Sequence, residues 1–373
     1  MQTGIKSDPI IAHLPFPDAR NSFPPSYGQE FFSVCLAEEF TESSPNRKQI
    51  EAKSFLVSNP ICEGSYMKIQ RSLLILPVNV PKFVEKAYTR GADSVMLDLE
   101  DAVPLDQKKE ARELLKDSIP LAARGGAEVF VRVNNEASLL TPDVEAAVLP
   151  GVKGIFLPKV ESAHQISALD EHIAKLEAKR GITRGSIRLS LHIESPLGML
   201  KLQELAGAST RTESMSIGTD DYCLQLGVEA SPDGTELFFP FCMMVTVSKA
   251  AGIRPMGILG SVAGFRDLDG FRKAAERGRD LGSTGAFCIH PDQVGILNTV
   301  FSPSEHQVEH ASRVVAAFED GLSRGRASVT LDGRMVDTPV YKRAQLTLER
   351  AVAVAELERR KAEAMNRVHR TDE

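Results

Sequence analysis

Leu97-Asp98-Leu99-Glu100-Asp101-Ala102-Val103 reads as an apolar strand running directly into a patch of carboxylates. The same junction recurs in Val131–Asn134 (VRVN), Leu157–Ser162 (LPKVES), His192–Pro196 (HIESP) and Gly218–Tyr222 (GTDDY). Polar groups at the ends of successive strands meet at one mouth if those strands close into a parallel barrel, and that mouth is where such barrels carry their chemistry.

Working outward, apolar runs alternate with helical patterns, the signature of βαβ units. Strands are predicted at Ser72–Leu76, Ser94–Leu99, Val129–Val133, Gly154–Leu157, Ile187–Ile193, Ser214–Ile217, Ile253–Ile258 and Ala286–Ile289. Helices among them include Pro81–Arg90, Asp106–Lys116, Ala163–Lys179, Leu197–Leu205, Phe239–Ala251 and Leu268–Leu281. Most strands are near-continuous apolar runs, as burial on both faces requires. A doubly wound open sheet would give a similar string, but the count of eight favours an α/β TIM (β/α)8 barrel over residues 67–300.

Beyond it, Ser302-Pro303-Ser304-Glu305 has the form of a capping box with proline at the first helical position, opening a helix to about Leu322. Asp332-Gly333 predicts a type I′ hairpin turn between Val329–Leu331 and Arg334–Val336. A charged helix follows from Pro339 to about Arg367, its apolar stripe too narrow to bury alone, so it packs on the barrel or on a neighbouring subunit. Residues 301–373 thus form a C-terminal helix–hairpin–helix extension. Residues 1–66, with seven prolines and no sustained period, form a loosely ordered N-terminal extension.

Fifty acidic against 44 basic residues give a net charge of -6, which argues against nucleic acid as a partner. The five cysteines lack zinc-site spacing. No run is long and apolar enough to span a membrane, and the N-terminus lacks a signal-peptide core, so the expected setting is cytoplasmic.

Glu194 ends the fifth strand on the same side as His192, suited to a metal ligand or an acid, or else to a cap or a salt bridge. The adjacent Asp220 and Asp221 repel unless a cation or hydrogen bonds offset them. Hard carboxylate oxygens without clustered cysteines or histidines favour Mg²⁺. Asp98, Glu100 and Asp101 are more carboxylates than a cap requires; holding metal-bound waters or forming salt bridges would both use them. Arg132, between Val131 and Val133, needs an anionic partner, either a substrate carboxylate or the acidic rim. Arg71 and Lys86 are candidates for phosphate contacts or for solvated surface. Lys159 offers Schiff-base chemistry or an ion pair. Asp337, before Thr338-Pro339, has no turn to explain it, whereas Asp332 belongs to the hairpin turn.

Taken in order, RSLLILP, GADSVMLDLEDAV, FVRVN, GIFLPKVES, HIESPLG, SIGTDDYCLQLG, CIHPDQV and DGRMVDTP, spanning about Met67 to Leu348, resemble the citrate lyase beta-subunit-like CoA-ester lyases of the HpcH/HpaI aldolase superfamily. The resemblance implies an Mg²⁺-dependent barrel, a homo-oligomer (trimer or hexamer), that cleaves or forms a carbon–carbon bond in a CoA thioester such as malyl- or citramalyl-CoA. It assigns Glu194 and Asp221 as metal ligands and Arg132 as the holder of the keto-acid carboxylate. Glu100 and Asp101 would tune the metal waters, and Asp337 would be the acid/base delivered to a neighbouring subunit's site. Relatives often read PGxRP after the first strand, where this chain has Pro77-Val78-Asn79-Val80, and Ala286-Phe287 stands where some carry lysine. Arg71 is then the remaining cationic candidate for substrate binding. The alternatives are a citrate lyase beta subunit acting on a citryl thioester, a malyl-CoA thioesterase or malate synthase-like activity, an imine aldolase using Lys159, and a catalytically inactive binding subunit.

Overall fold

Eight short apolar strands, each followed by a helical connection, pair side by side in parallel and in register. The computed structural model describes residues 67–372, and the expectation for residues 1–66 lies outside them. The order in chain is β1 (Ser72–Pro77), α1 (Pro81–Glu85), β2 (Ser94–Asp98), α2 (Lys108–Ala123), β3 (Glu128–Arg132), α3 (Ala137–Ala147), β4 (Val152–Leu157), α4 (Ala163–Arg180) and β5 (Arg188–Ile193). Then follow α5 (Pro196–Leu200), α6 (Leu202–Ala206), β6 (Thr212–Ile217), α7 (Thr219–Leu226), α8 (Thr235–Ala250), β7 (Arg254–Met256), α9 (Leu268–Asp280), β8 (Ala286–Cys288) and α10 (Pro291–Val300). The sheet runs β7-β6-β5-β4-β3-β2-β1-β8. Its two ends meet where Gly257 N donates to Gly285 O at 2.9 Å and Thr284 N donates to Pro255 O at 2.9 Å. This is the expected TIM barrel.

Period-two alternation sorts the strand side chains. Val95 and Leu97, Val129 and Val131, Ile155 and Leu157, and Leu189 and Leu191 point outward and join the helices in the main core. Leu73, Met96, Phe130, Phe156, Met256 and Phe287 point inward and fill the lumen. Gly154 is required there, since a Cβ would lie 2.8 Å from the Phe130 ring.

Several boundaries depart from the sequence reading. Helix Pro81–Arg90 stops at Glu85 and continues as a 3₁₀ turn over Ala87–Arg90. Leu197–Leu205 divides into α5 and α6 at Lys201, whose backbone is not helical. Helices α2 and α8 carry Pro120 and Pro240 internally, which propensity alone would have excluded.

The extension comprises α11 (Glu305–Ser323), the hairpin strands β9 (Val329–Leu331) and β10 (Arg334–Val336), and α12 (Thr338–Asp372). The N-cap of α11 is Ser304, in a reciprocal box with Gln307, rather than Ser302; Pro303 therefore precedes the helix. The hairpin turn holds Asp332 at φ 50° and Gly333 at φ 73°, the left-handed pair of a type I′ turn. Phe318, Val314, Val336, Ala344 and Leu348 form a small second core. Farther along, α12 packs on the barrel of its own chain: Arg350 donates to the carbonyls of Phe301 and Thr284, and Lys361 Nζ lies 3.1 Å from Asp93. No helix among the described residues is long and apolar enough to cross a membrane.

Candidate active site

The C-terminal ends of β2 to β6 place their polar groups around one mouth. Asp98 closes β2 and is fully buried, and its register partner on β3 is Arg132. The two form a fork: Arg132 Nε and Nη2 each reach one Asp98 oxygen at 2.7 Å. Nη1 remains turned toward the rim, 3.2 Å from Glu100 and 3.8 Å from Asp101. Burial works against the Arg132 charge, but Asp98, Glu100 and Asp101 outweigh it and hold the guanidinium protonated above its ordinary value. The two-pronged face is thus occupied by Asp98, leaving one nitrogen for any substrate carboxylate.

The LDLED turn is pinned from below. Buried Lys108 donates to the carbonyls of Leu99 and Glu100 at 2.7 and 2.6 Å, and Asn134 donates to Leu99 O at 2.8 Å. Lys159 sits at φ 52°, an uncommon conformation for a side-chain-bearing residue, and its Nζ reaches Glu100 at 2.7 Å and Asp101 at 3.4 Å. Burial opposes its charge, but the pairing with Glu100, reinforced by Asp101, raises its pKa. A lysine held protonated in this way is a poor amine nucleophile.

Glu194 follows β5, with Ser195 capping α5 through Gly198 N at 3.0 Å and Pro196 at the first helical position. His192, on the same side of the strand, places Nε2 3.8 Å from Glu194 and Nδ1 2.6 Å from Ser216 Oγ. Burial, then Arg132, lowers the His192 pKa to about 3, so the ring is neutral. Its ring packs against Phe156 and Phe287, with centroids 5.0 and 5.8 Å away, forming an aromatic floor under the carboxylates.

Burial, followed by the charges of Glu100 and Asp221, raises the Glu194 pKa to about 8. Its Oε2 is buried without a hydrogen-bond partner. A desolvated carboxylate with an orphaned oxygen, repelled by two others, is a site that a cation completes. The donors are hard oxygens, with neutral His192 already hydrogen-bonded to Ser216, and this set fits Mg²⁺. Among the described residues no group of three or more such side chains could enclose a metal unaided. That suits an ion which takes one or two carboxylates and fills its remaining positions with water and substrate. Asp221, in the first turn of α7, is near enough for its charge to act on Glu194, whereas Asp220 is exposed and accepts from Ser261 Oγ at 3.0 Å.

Two expected site residues are not brought to this mouth. Arg71 precedes β1, at the opposite end of the barrel, where it is buried in a two-pronged pair with Asp93 at 2.7 and 2.8 Å and contacts Ser302 and Glu358. Its assignment to substrate binding is therefore withdrawn: it has no free donor face and lies at the wrong end. Asp337 accepts from Val340 N at 3.2 Å, capping α12, and meets none of the mouth's polar groups in its own chain.

A family model for HpcH/HpaI aldolase/citrate lyase matches residues 71–291. The chain belongs to that family. It is accordingly an enzyme of the oxo-acid-lyase type. Among relatives, the family's citrate lyase subunit beta from Haemophilus influenzae is 36% identical over 288 residues, 76% of this chain and 98% of that protein. A (3S)-malyl-CoA thioesterase from Cereibacter sphaeroides is 34% identical over 287 residues, 76% of this chain and 95% of that one. Of solved structures, protein CitE from Mycobacterium tuberculosis, in complex with magnesium, acetoacetate and coenzyme A, superposes with a TM-score of 0.61 at 26% identity, covering 77% of this chain and 99% of that one.

Proposed function

We propose that this chain is an Mg²⁺-dependent lyase that cleaves, or in reverse forms, the carbon–carbon bond of a 3-hydroxyacyl-CoA such as citramalyl-CoA or malyl-CoA, giving acetyl-CoA and pyruvate or glyoxylate. The observation that carries this reading is the buried Glu194 carboxylate with an unpartnered oxygen, beside the aromatic floor and under the charge of Asp221. The bound magnesium, acetoacetate and coenzyme A of the M. tuberculosis protein support it.

Glu194 and Asp221 would hold the ion, and Glu100 and Asp101 would hold its waters. Mg²⁺ supplies Lewis-acid polarisation of the keto-acid oxygens and lowers the cost of losing the hydroxyl proton. Nη1 of Arg132, the nitrogen that Asp98 leaves unbound and that lies 3.2 Å from Glu100, would orient the substrate carboxylate. As the hydroxyl proton passes to water, the oxygen's electrons form the 2-oxo acid carbonyl and the broken bond's electrons move onto the acyl α-carbon. That carbanion is delocalised into the thioester, and Asp337, supplied by a neighbouring subunit, would protonate it.

A panel of malyl-, methylmalyl-, citramalyl- and citryl-CoA, assayed for 2-oxo acid with and without Mg²⁺, tests this. Release should require the metal and survive borohydride, because Lys159 is ion-paired. Metal-independent turnover, or borohydride inactivation with substrate present, would defeat the proposal. The thioesterase relative favours a second reading in which water attacks the thioester. Free CoA without acetyl-CoA would distinguish it.

A further inference from the structure

At the end of the barrel opposite the mouth, an open cleft of about 990 Å³ lies between the N-terminal ends of the strands and helix α12. Its lining contains eight lysine or arginine residues and a single carboxylate, Glu213. That carboxylate is already engaged: Arg254 Nη2 lies 2.9 Å away, Lys68 also pairs with it, and Arg188 lies 3.8 Å off. Lys249 and Arg343 have no carboxylate partner among the described residues. Arg350 donates from Nε and Nη2 to the carbonyls of Phe301 and Thr284 and forms no direct ion pair with a carboxylate among the described residues.

Two buried polar atoms of the lining, Arg254 Nη1 and Thr212 Oγ1, have no hydrogen-bond partner. Arg254 Nη1 is thus a cationic donor without a protein acceptor in the wall of the cleft. Burial, then Arg71 and Arg254 against the opposing charge of Asp93, depresses the Arg350 pKa. In a chain with a net charge of -6 this cleft gathers eight cations against one carboxylate, and its size suits a small molecule.

We propose that this cleft is a second ligand site, which takes a small polyanion carrying clustered phosphate or carboxylate groups and ties α12 to the base of the barrel. Guanidinium forks and ammonium groups recognise both chemistries through charge-assisted hydrogen bonds. The cleft shares no lining residue with the mouth.

Calorimetric titration of the full chain with pyrophosphate and with citrate, free of divalent metal and at fixed ionic strength, tests it. At least one should bind saturably and raise Tm beyond the effect of matched NaCl. Binding of pyrophosphate alone assigns the phosphate class, and binding of citrate alone the polycarboxylate class. The double reversal Lys249→Glu with Arg343→Glu should weaken binding at least about tenfold while leaving Mn²⁺ binding at the mouth unchanged. Should that variant fail to fold, Lys249→Ala alone should weaken it about threefold. The proposal is overturned if neither anion binds saturably, or if the affinity is the same in the variants.

Discussion

Glu194 shows at the level of one residue how the site is built. Its carboxyl rises from an ordinary 4.5 to about 8, so over that interval the folded chain keeps a proton that the unfolded chain has released. The stability it contributes is complete below pH 4.5 and is lost as pH rises toward about 8. Denaturant titrations of metal-free protein should therefore show falling stability across that window, with a shallower fall in Glu194→Gln; equal slopes would count against the assignment. Gly218 is the second such residue. A Cβ there would lie 2.5 Å from Glu194 Cγ and 2.8 Å from His192 Nε2. Gly218→Ala should cost about 1–3 kcal/mol and weaken Mg²⁺ binding, read by melting and by metal titration. The sequence made Glu194, Asp221 and Arg132 visible as candidates because each lies at or just past the end of an apolar run. It could not show that Asp98 claims the Arg132 fork, since that depends on strand register, nor that Lys108 and Asn134 brace the LDLED turn through its carbonyls. Arg71 misled because a cation beside a strand looks the same at either end of it.

At the level of elements, the strands were legible and the helix limits were not. Burial on both faces writes a strand as a plain apolar run, whereas α2 and α8 continue through Pro120 and Pro240, which propensity alone reads as breaks. The shift of the α11 cap from Ser302 to Ser304 has a similar origin: both serines fit the pattern, and Gln307 decides which closes the box. The α11–hairpin–α12 unit stands on a core of its own, and Asp337 lies between β10 and α12. Phe318, buried in that core and stacked on Tyr341 at 4.7 Å, is its keystone. Phe318→Ala should cost about 3–5 kcal/mol and lower turnover while leaving metal affinity at the mouth intact. Metal loss in parallel with activity would mean that this unit also supports the barrel.

For the whole molecule, the position of Asp337 sets a test of assembly. If it serves a neighbour's mouth, Asp337→Asn and Glu194→Gln proteins should each be inactive. Co-folded in equal amounts in a closed ring, they should recover about a quarter of wild-type turnover, because a site works when one parent supplies the mouth and the other the aspartate. Mixtures as inactive as the parents would place the proton donor elsewhere.

The rings of Phe156, His192 and Phe287, with Phe130 and Met96 beneath them, also stop any solvent thread down the barrel axis. The two termini of the cylinder are chemically insulated compartments. Whatever is delivered to one terminus reaches the other only by travelling around the outside, so the proton that the proposed scission passes to water would leave by the rim through which the reactants enter.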